Sequence, residues 1–356
     1  MSNLRLLTFA QAINEALDQT MTKDPRVFII GEGVPDPKGT FGTTLGLLKK
    51  FGSARVMDMP VSENGVTGIC IGAALRGFRP VMTHQRVDFS LYAFDQIINN
   101  AAKWYFIFGG QSSVPLVIRM IIGRGWGQGS QHSQSLQSLF AHIPGLKVIM
   151  PTTAYDAKGM LAAAIADNNP VISLEHRWLY NLTSHVPKKL YQIRLGLASI
   201  LHTGKDVTIV AASYSAIESY EVAKVLKTKG IHVEVINVRS LKPLDGDTIL
   251  KSVAKTGRLL TVDTSWLSYG ITGEIVARVV EKFFDKLKVA PLRLGLPDVS
   301  IPSSPGLTKN LYPGKREIAR LVYQLLGKNQ TEVNSLFPDD PNLAHDVPDN
   351  TFTGPF

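Results

Sequence analysis

Cysteine is almost missing. A single one, Cys70, stands among 356 residues, so no internal disulfide can staple the fold, and its place in the apolar run GICIGAAL suits a buried, inert thiol. Zinc is poorly served, because one cysteine and eight dispersed histidines offer no ligand spacing. No apolar stretch approaches the roughly 18 residues of a membrane span. The opening MSNLRLLTFAQAI lacks the long apolar core and small-residue cleavage site of a secretory signal, and the arginine content of a transit peptide. The cytoplasm is therefore the expected compartment. Nucleotide and hydrolase signatures are absent too. There is no G-x-x-x-x-G-K-[ST] loop and no G-x-S-x-G elbow, and the glycine-rich run GRGWGQG at 123–129 does not match G-x-G-x-x-G.

What is present describes a globular chain with a sizeable core, 44% hydrophobic and 19% charged. Its net charge of +9 would suit an anionic partner, but the lysines and arginines are scattered, with no long basic block and no nucleic-acid module. A solvated basic surface is the simpler reading, without nucleic acid as partner.

Alternating periodicities set the organisation. Thr8 and Gln11 are spaced as a capping box, with Ile13, Ala16 and Leu17 following at helical intervals. VFIIG at 27–31 is a short apolar run stopped by glycine, suited to a buried parallel strand. Helix-like segments at 41–51, 65–76, 90–107, 133–141 and 154–167 alternate with strand-like ones, including VPLVIRM and PVISLE. This alternation predicts a doubly wound, parallel-sheet α/β domain over 1–185. A linker is expected at 186–203, a smaller α/β domain at 204–328, and an extended or disordered tail at 329–356, where Pro, Asp and Asn dominate.

Two places carry candidate chemistry. VSENGVTG puts Glu63 at a strand end and a helix start, where open α/β sheets place ligands. A carboxylate there also serves as an ordinary helix N-terminal acid, worth about 0.3–1 kcal/mol. Gly65, Gly68 and Gly72 strip bulk from one face of the following helix, which allows a second helix or subunit to approach, and a carboxylate at such a dry contact suits proton transfer better than stability. The second place is GRGWGQGSQHSQS, a glycine-rich loop that presents His132, either as an exposed loop residue or as an acid/base group.

The segments VFIIGEGV, MPVSENGVTGICIGAALRGFRPV, DFSLYAFDQIINNAAK, GGQSSVPLVIR, QHSQSLQSLFAHIPGLKVIMPTTAYDAKGMLAAAIADNNPVISLEH and VRSLKPLDGDTILKSVAKTGR, in order over about 5–325, resemble the beta subunit of thiamine diphosphate-dependent 2-oxo acid dehydrogenases. The resemblance implies a transketolase-like pyrimidine-binding domain followed by a transketolase C-terminal domain. It implies that Glu63 contacts the cofactor's pyrimidine nitrogen and shuttles a proton that activates the thiazolium carbon. It further implies that Phe89 packs on the pyrimidine, that Val61 and Gln85 line the cofactor pocket, and that His132 handles acyl transfer to a lipoyl group. A structural potassium ion at Leu116, Ala164, Ile165, Asp167 and Asn169 belongs to the same pattern.

The family anchors Mg²⁺ and the diphosphate through G-D-G with a later asparagine, and this chain has Asp245-Gly246-Asp247 instead. The resemblance therefore implies that an alpha-type subunit supplies the diphosphate and Mg²⁺ site, in an α2β2 heterotetramer, with a lipoyl-bearing acyltransferase as a further partner. His84-Gln85-Arg86 and the segment DTSWLSYGITGEI depart from the family pattern. A transketolase-like carboligase half-enzyme and a noncatalytic scaffold subunit remain as alternatives.

Overall fold

The computed structural model describes residues 5–124, 127–309, 311–338 and 347. They form two compact units: the first takes 5–122 and 139–195, and the second takes the described residues of 123–138 and of 196–347.

In the first unit, strands β1 (Val27–Gly31), β2 (Val56–Met57), β3 (Arg79–His84), β4 (Val117–Ile122), β5 (Lys147–Ile149) and β6 (Val171–His176) run in the spatial order β5-β6-β4-β3-β1-β2, all parallel. Strands β1, β4 and β6 are buried along their whole length. That is why VFIIG reads as a continuous apolar run and not as an alternation. Helices α1 (Phe9–Lys23), α2 (Glu63–Leu75) and α3 (Ala154–Ala166) cover the sheet. Thr8 caps α1 as its spacing predicts: Gln11 N donates to Thr8 Oγ1 at 3.1 Å, and Thr8 N donates to Gln11 Oε1 at 2.9 Å. The strand order reverses between β1 and β3, which makes their carboxyl ends the ligand crevice of such a sheet.

Two buried charges sit inside this sheet. Arg119 on β4 and Glu175 on β6, 1% and 2% exposed, meet in a two-pronged pair at 2.8 Å on each prong, and Tyr180 Oη donates to Glu175 at 3.0 Å. On α3, the fully buried Lys158 donates Nζ to the carbonyls of Pro187 and Lys188 at 2.7 and 3.1 Å, which lashes the start of the connecting segment to the unit.

The second unit has strands β7 (Ser199–His202), β8 (Val207–Ala211), β9 (Val233–Asn237), β10 (Leu259–Trp266) and β11 (Leu292–Leu296) in the order β11-β10-β8-β9-β7, with β7 alone antiparallel. Helices α4 (Tyr214–Lys227), α5 (Gly246–Thr256), α6 (Ile271–Phe283) and α7 (Lys315–Leu325) accompany it. Val222, Ala223 and Leu226 of α4 join Ile318, Val322 and Tyr323 of α7 in its core.

Several boundaries differ from the sequence expectation. The segment 199–202, assigned to the linker, is a strand hydrogen-bonded to β9. The helix expected at 41–51 forms only at Leu47–Phe51, because the backbone is left-handed at Phe41, Gly42 and Gly46. The expected helix at 90–107 breaks into a 3-10 turn, Phe89–Ala93, a π-helical turn, Gln96–Ala101, and a short helix, Trp104–Ile107. The tail is not extended at its start. Val333–Leu336 is helical, Val333 is buried in the second core, and Arg316 donates to the Phe337 carbonyl at 2.9 and 2.8 Å. Apart from residue 347, the tail beyond Pro338 lies outside the described residues. No helix among the described residues is long and apolar enough to cross a membrane.

Breaking a buried ion pair from one side strands the other charge, at about 3–5 kcal/mol. Glu175→Gln is therefore expected to lower the chemical-denaturation stability by about that amount, and Arg119→Met with Glu175→Leu to recover most of it. Equal losses in the single and double variants would show that the pair does not act as a unit.

Candidate functional site

The crevice at the carboxyl ends of β1, β2 and β3 collects Glu32, Asp58, Glu63 and Gln85. Gly31, the last residue of β1, makes this possible: a Cβ there would lie 2.4 Å from the Thr83 carbonyl oxygen of β3, so only glycine lets the two strand ends close up. Gln85, just past β3, donates Nε2 to the Glu32 carbonyl at 2.7 Å. Asp58, exposed and just past β2, accepts the backbone N–H of Gly33 and of Met59, each at 3.0 Å.

Glu63 is the first residue of α2, and Ser62 before it makes no side-chain cap. The local fold is fixed by Thr67, whose hydroxyl donates to the Glu63 carbonyl at 2.7 Å and lies 3.4 Å from Met82 Sδ on β3. Glu63 is 8% exposed, and among the described residues no donor reaches its carboxylate. Glu32 lies close enough to feel it. Burial first, then the charges of Glu63 and Asp58, push the Glu32 carboxyl above its ordinary range, and its Oε1 is enclosed without a hydrogen-bond partner. Three acids thus share a crevice with no cation paired to any of them among the described residues.

The 3-10 turn that begins at Phe89 packs against α2, which places half-buried Phe89 on a segment beside the helix that carries Glu63. Val61, two residues before Glu63, is 83% exposed. His84 is buried, and burial pushes its pKa down to about 4, so it is a neutral imidazole at physiological pH. Arg86, flagged with it in the sequence, is buried with its guanidinium 5.6 Å from the centre of the Phe41 ring.

Of the residues that the resemblance assigned to potassium, Ile165 and Asp167 accept from the protein's own cations, and Leu116 and Ala164 from backbone N–H groups. Arg79 Nη1 donates to the carbonyls of Ile165 and Asp167 at 2.9 and 2.8 Å. The Leu116 carbonyl accepts Val171 N at 2.9 Å, and the Ala164 carbonyl accepts Asp167 N at 3.2 Å. Burial alone would raise the Asp167 carboxyl, but a hydrogen bond from Lys147 and another from Asn169 N, at 2.9 Å, hold it below its usual range.

His132 belongs to the second unit, on a loop closed by Gly123 N donating to the Gln134 carbonyl at 3.2 Å. Sequence reasoning placed this loop in the first domain, since nothing local in GRGWGQGSQHSQS says which core it joins. Gly129, left-handed at φ 70°, lies so close to Ser303 that a Cβ would meet its hydroxyl at 2.4 Å. Ser130 Oγ donates to the Ile301 carbonyl at 3.0 Å. His132 itself is half-buried.

The second unit also buries two acids that the sequence did not single out. Glu218 on α4 is pushed by burial up to about 7, against the pull of Arg124 and Lys315. Asp263 on β10 is pushed by burial up to about 6, against hydrogen bonds from Thr264 N, Gln137 and Ser265 N. For an acid whose folded pKa is raised, the protonated form favours the fold. That contribution is complete below the unfolded value and is lost as pH rises through the folded one. The thermal midpoint is therefore expected to fall between pH 5 and pH 8. Glu218→Gln should flatten that slope, and an unchanged slope in this variant would remove Glu218 as its source.

Comparison with known proteins places these units in a family. The transketolase pyrimidine-binding domain matches residues 6–183, and the transketolase C-terminal domain matches residues 196–318. The chain is 43% identical over 325 residues to the acetoin:2,6-dichlorophenolindophenol oxidoreductase subunit beta of Cupriavidus necator, covering 88% of this chain and 96% of that one. It is 40% identical over 325 residues to the mitochondrial pyruvate dehydrogenase E1 component subunit beta of Bos taurus, covering 90% of each. Among solved structures, a split gene transketolase, described as an inactive beta4 tetramer, superposes with a TM-score of 0.74 at 20% identity, over 90% of this chain and 98% of that one. The chain belongs to the transketolase-like family of beta subunits that unites a pyrimidine-binding domain with a transketolase C-terminal domain.

Proposed function

We propose that this chain is the beta subunit of a thiamine diphosphate-dependent 2-oxo acid dehydrogenase, with Glu63 as the group that activates the cofactor. The observation that carries the reading is the buried Glu63 carboxylate, which has no donor among the described residues and stands beside the like-charged Glu32 at the sheet's switch point. Such a site is open to a hydrogen-bond donor such as a ring N–H. The pyrimidine of thiamine diphosphate meets that need, so the residues present fit the group.

Bound there, thiamine diphosphate supplies the carbon nucleophile and the electron sink for decarboxylation of a 2-oxo acid. Glu63 would accept the pyrimidine ring N–H and pass the proton at that nitrogen, with Glu32 beside it in the crevice. Gln85 fixes the Glu32 backbone, and the segment that begins at Phe89 offers an aromatic face to the ring. His132, on its glycine-rich loop, acts as acid/base in acyl transfer to a lipoyl group.

The charged end of the cofactor needs a cation and donors that the acid crevice lacks. Asp245, the one acid of the altered motif that opens a helix, is already engaged: it caps α5, accepting Thr248 N at 3.1 Å, and also accepts Ala198 N at 2.9 Å. The reading therefore assigns the diphosphate and Mg²⁺ to an alpha-type partner in an α2β2 heterotetramer, with the cytoplasm as compartment. Ile69 on the helix that carries Glu63 is 66% exposed, and Phe106 is 87% exposed. Large apolar side chains in water are what such a partner would cover.

The test is reconstitution with an alpha-type chain that carries G-D-G. Glu63→Gln is expected to lower decarboxylation about 100-fold or more, the scale of a lost general acid/base, while titration calorimetry still shows cofactor uptake. His132→Ala is expected to keep decarboxylation, followed with an artificial oxidant, and to lose transfer to a lipoyl acceptor. Undiminished turnover of Glu63→Gln would falsify the reading.

A further inference from the structure

Segment 123–138 is the part of the first sequence half that folds into the second unit, and side chains hold it on both sides of His132. Ahead of the histidine, Arg124 donates Nη2 to the Pro313 carbonyl at 2.8 Å, stands 4.7 Å from the centre of the Tyr312 ring, and comes within 3.9 Å of buried Glu218. Beyond the histidine, Gln137 donates Nε2 to Asp263 Oδ1 at 2.7 Å, and the Ser135 carbonyl accepts the Ser265 hydroxyl at 2.8 Å.

Asp263 is the costly member of this arrangement. It is 2% exposed, carries no ion pair among the described residues, and leaves Oδ2 without a hydrogen-bond partner. Packing alone would be better served by an apolar side chain at the same place on β10, since an unpaired buried carboxylate opposes folding. The strand ladder does not need it, because the ladder is made by the backbone. Its bonds to Thr264 N and Ser265 N lie within its own strand, and the bonded partner it has elsewhere is Gln137. Gln137, 0% exposed, is the first residue of the short helix Gln137–His142 that follows the loop. A bond made there sets where the loop ends.

We propose that Asp263 is a positioning residue: through Gln137 it fixes the segment that presents His132, so that the imidazole is held in one arrangement. This deepens the acyl-transfer role given to His132 above and rests on it for its catalytic consequence. The tie needs only an acceptor oxygen at position 263, and it reaches the histidine through backbone that is itself closed at Gly123 and Gln134.

The experiment has two independent readouts. Amide exchange over 127–138 in the full chain is expected to quicken at least tenfold in Asp263→Leu and in Gln137→Leu. Asp263→Asn, whose amide oxygen still accepts from Gln137, should stay within threefold of the parent chain. Gln137→Leu leaves β10 untouched, so it decides the matter if Asp263→Leu does not fold. Unchanged exchange in Gln137→Leu overturns the proposal. In the reconstituted enzyme, the same leucine variants are expected to lower kcat for lipoyl transfer at least tenfold, with KM for the 2-oxo acid and decarboxylation with an artificial oxidant both held within twofold, and Asp263→Asn should rescue the transfer. Quickened exchange with undiminished transfer supports the tether and overturns the role of His132. Equal loss of both half-reactions overturns the positioning role in favour of a general structural one.

Discussion

A carboxylate taken out of water must be repaid by a cation, by several hydrogen-bond donors or by a proton, because its lost hydration is worth several kcal/mol. Glu63 meets no donor or cation among the described residues, and Glu32 Oε1 is enclosed without a partner. Asp58 accepts Gly33 N and Met59 N through Oδ1 and adds a further negative charge. The crevice at the carboxyl ends of β1, β2 and β3 thus gathers acids with no cation paired to them among the described residues, and the need it leaves is for a hydrogen-bond donor. A ligand with a protonatable ring nitrogen satisfies the need through one contact. Much of the surrounding structure serves to keep these acids close: Gly31 lets β1 and β3 converge, Gln85 bridges them, and Thr67 locks the first turn of α2 to β3.

The same unit contains the opposite solution to buried charge. Arg119 and Glu175 sit deeper in the sheet than Glu63, yet each carries its counter-ion, and Tyr180 adds a further donor. A satisfied pair of this kind fixes strand neighbours and offers nothing to a ligand. Burial alone thus does not mark a candidate for function; burial with no donor is the feature that sets Glu63 apart from Glu175. In the second unit Glu218 and Asp263 lie between the two extremes, each with one polar link that reaches the His132 loop. Their raised pKa values follow from that partial compensation.

Sequence reading succeeded where structure is local. The capping box at Thr8, the fully buried VFIIG strand and the helix opening near Glu63 follow from side-chain chemistry within a few residues, and each stands in the structure. It went astray where backbone conformation or distant contacts decide. Composition at 41–51 looks helical, but left-handed residues there break the helix until Leu47. The polar ending of the chain looks unstructured, yet Val333 finds a core built from α4 and α7. The path of 123–138 into the second unit depends on Asp263, Ser265, Ile301 and Pro313, residues more than a hundred positions away. Glu63 was legible as a candidate from its place at a strand end. Glu32 was not, because an acid after a strand is unremarkable until its neighbours in space are known.

The helix that carries Glu63 also explains why activation and association belong together. Its inner face, with Val66, Thr67, Cys70, Ile71 and Ala74, is buried, while Ile69 faces water and Gly72 has nothing within 4 Å of a would-be Cβ. An exposed isoleucine flanked by glycines gains little from water and more from a second surface laid against it. On the reading proposed above, that second surface is the chain that grips the diphosphate. Closing it over α2 would exclude water from around Glu63, and the proton held there would exchange with the cofactor alone. On that reading, assembly completes the enclosure of an acid that the subunit already holds largely buried.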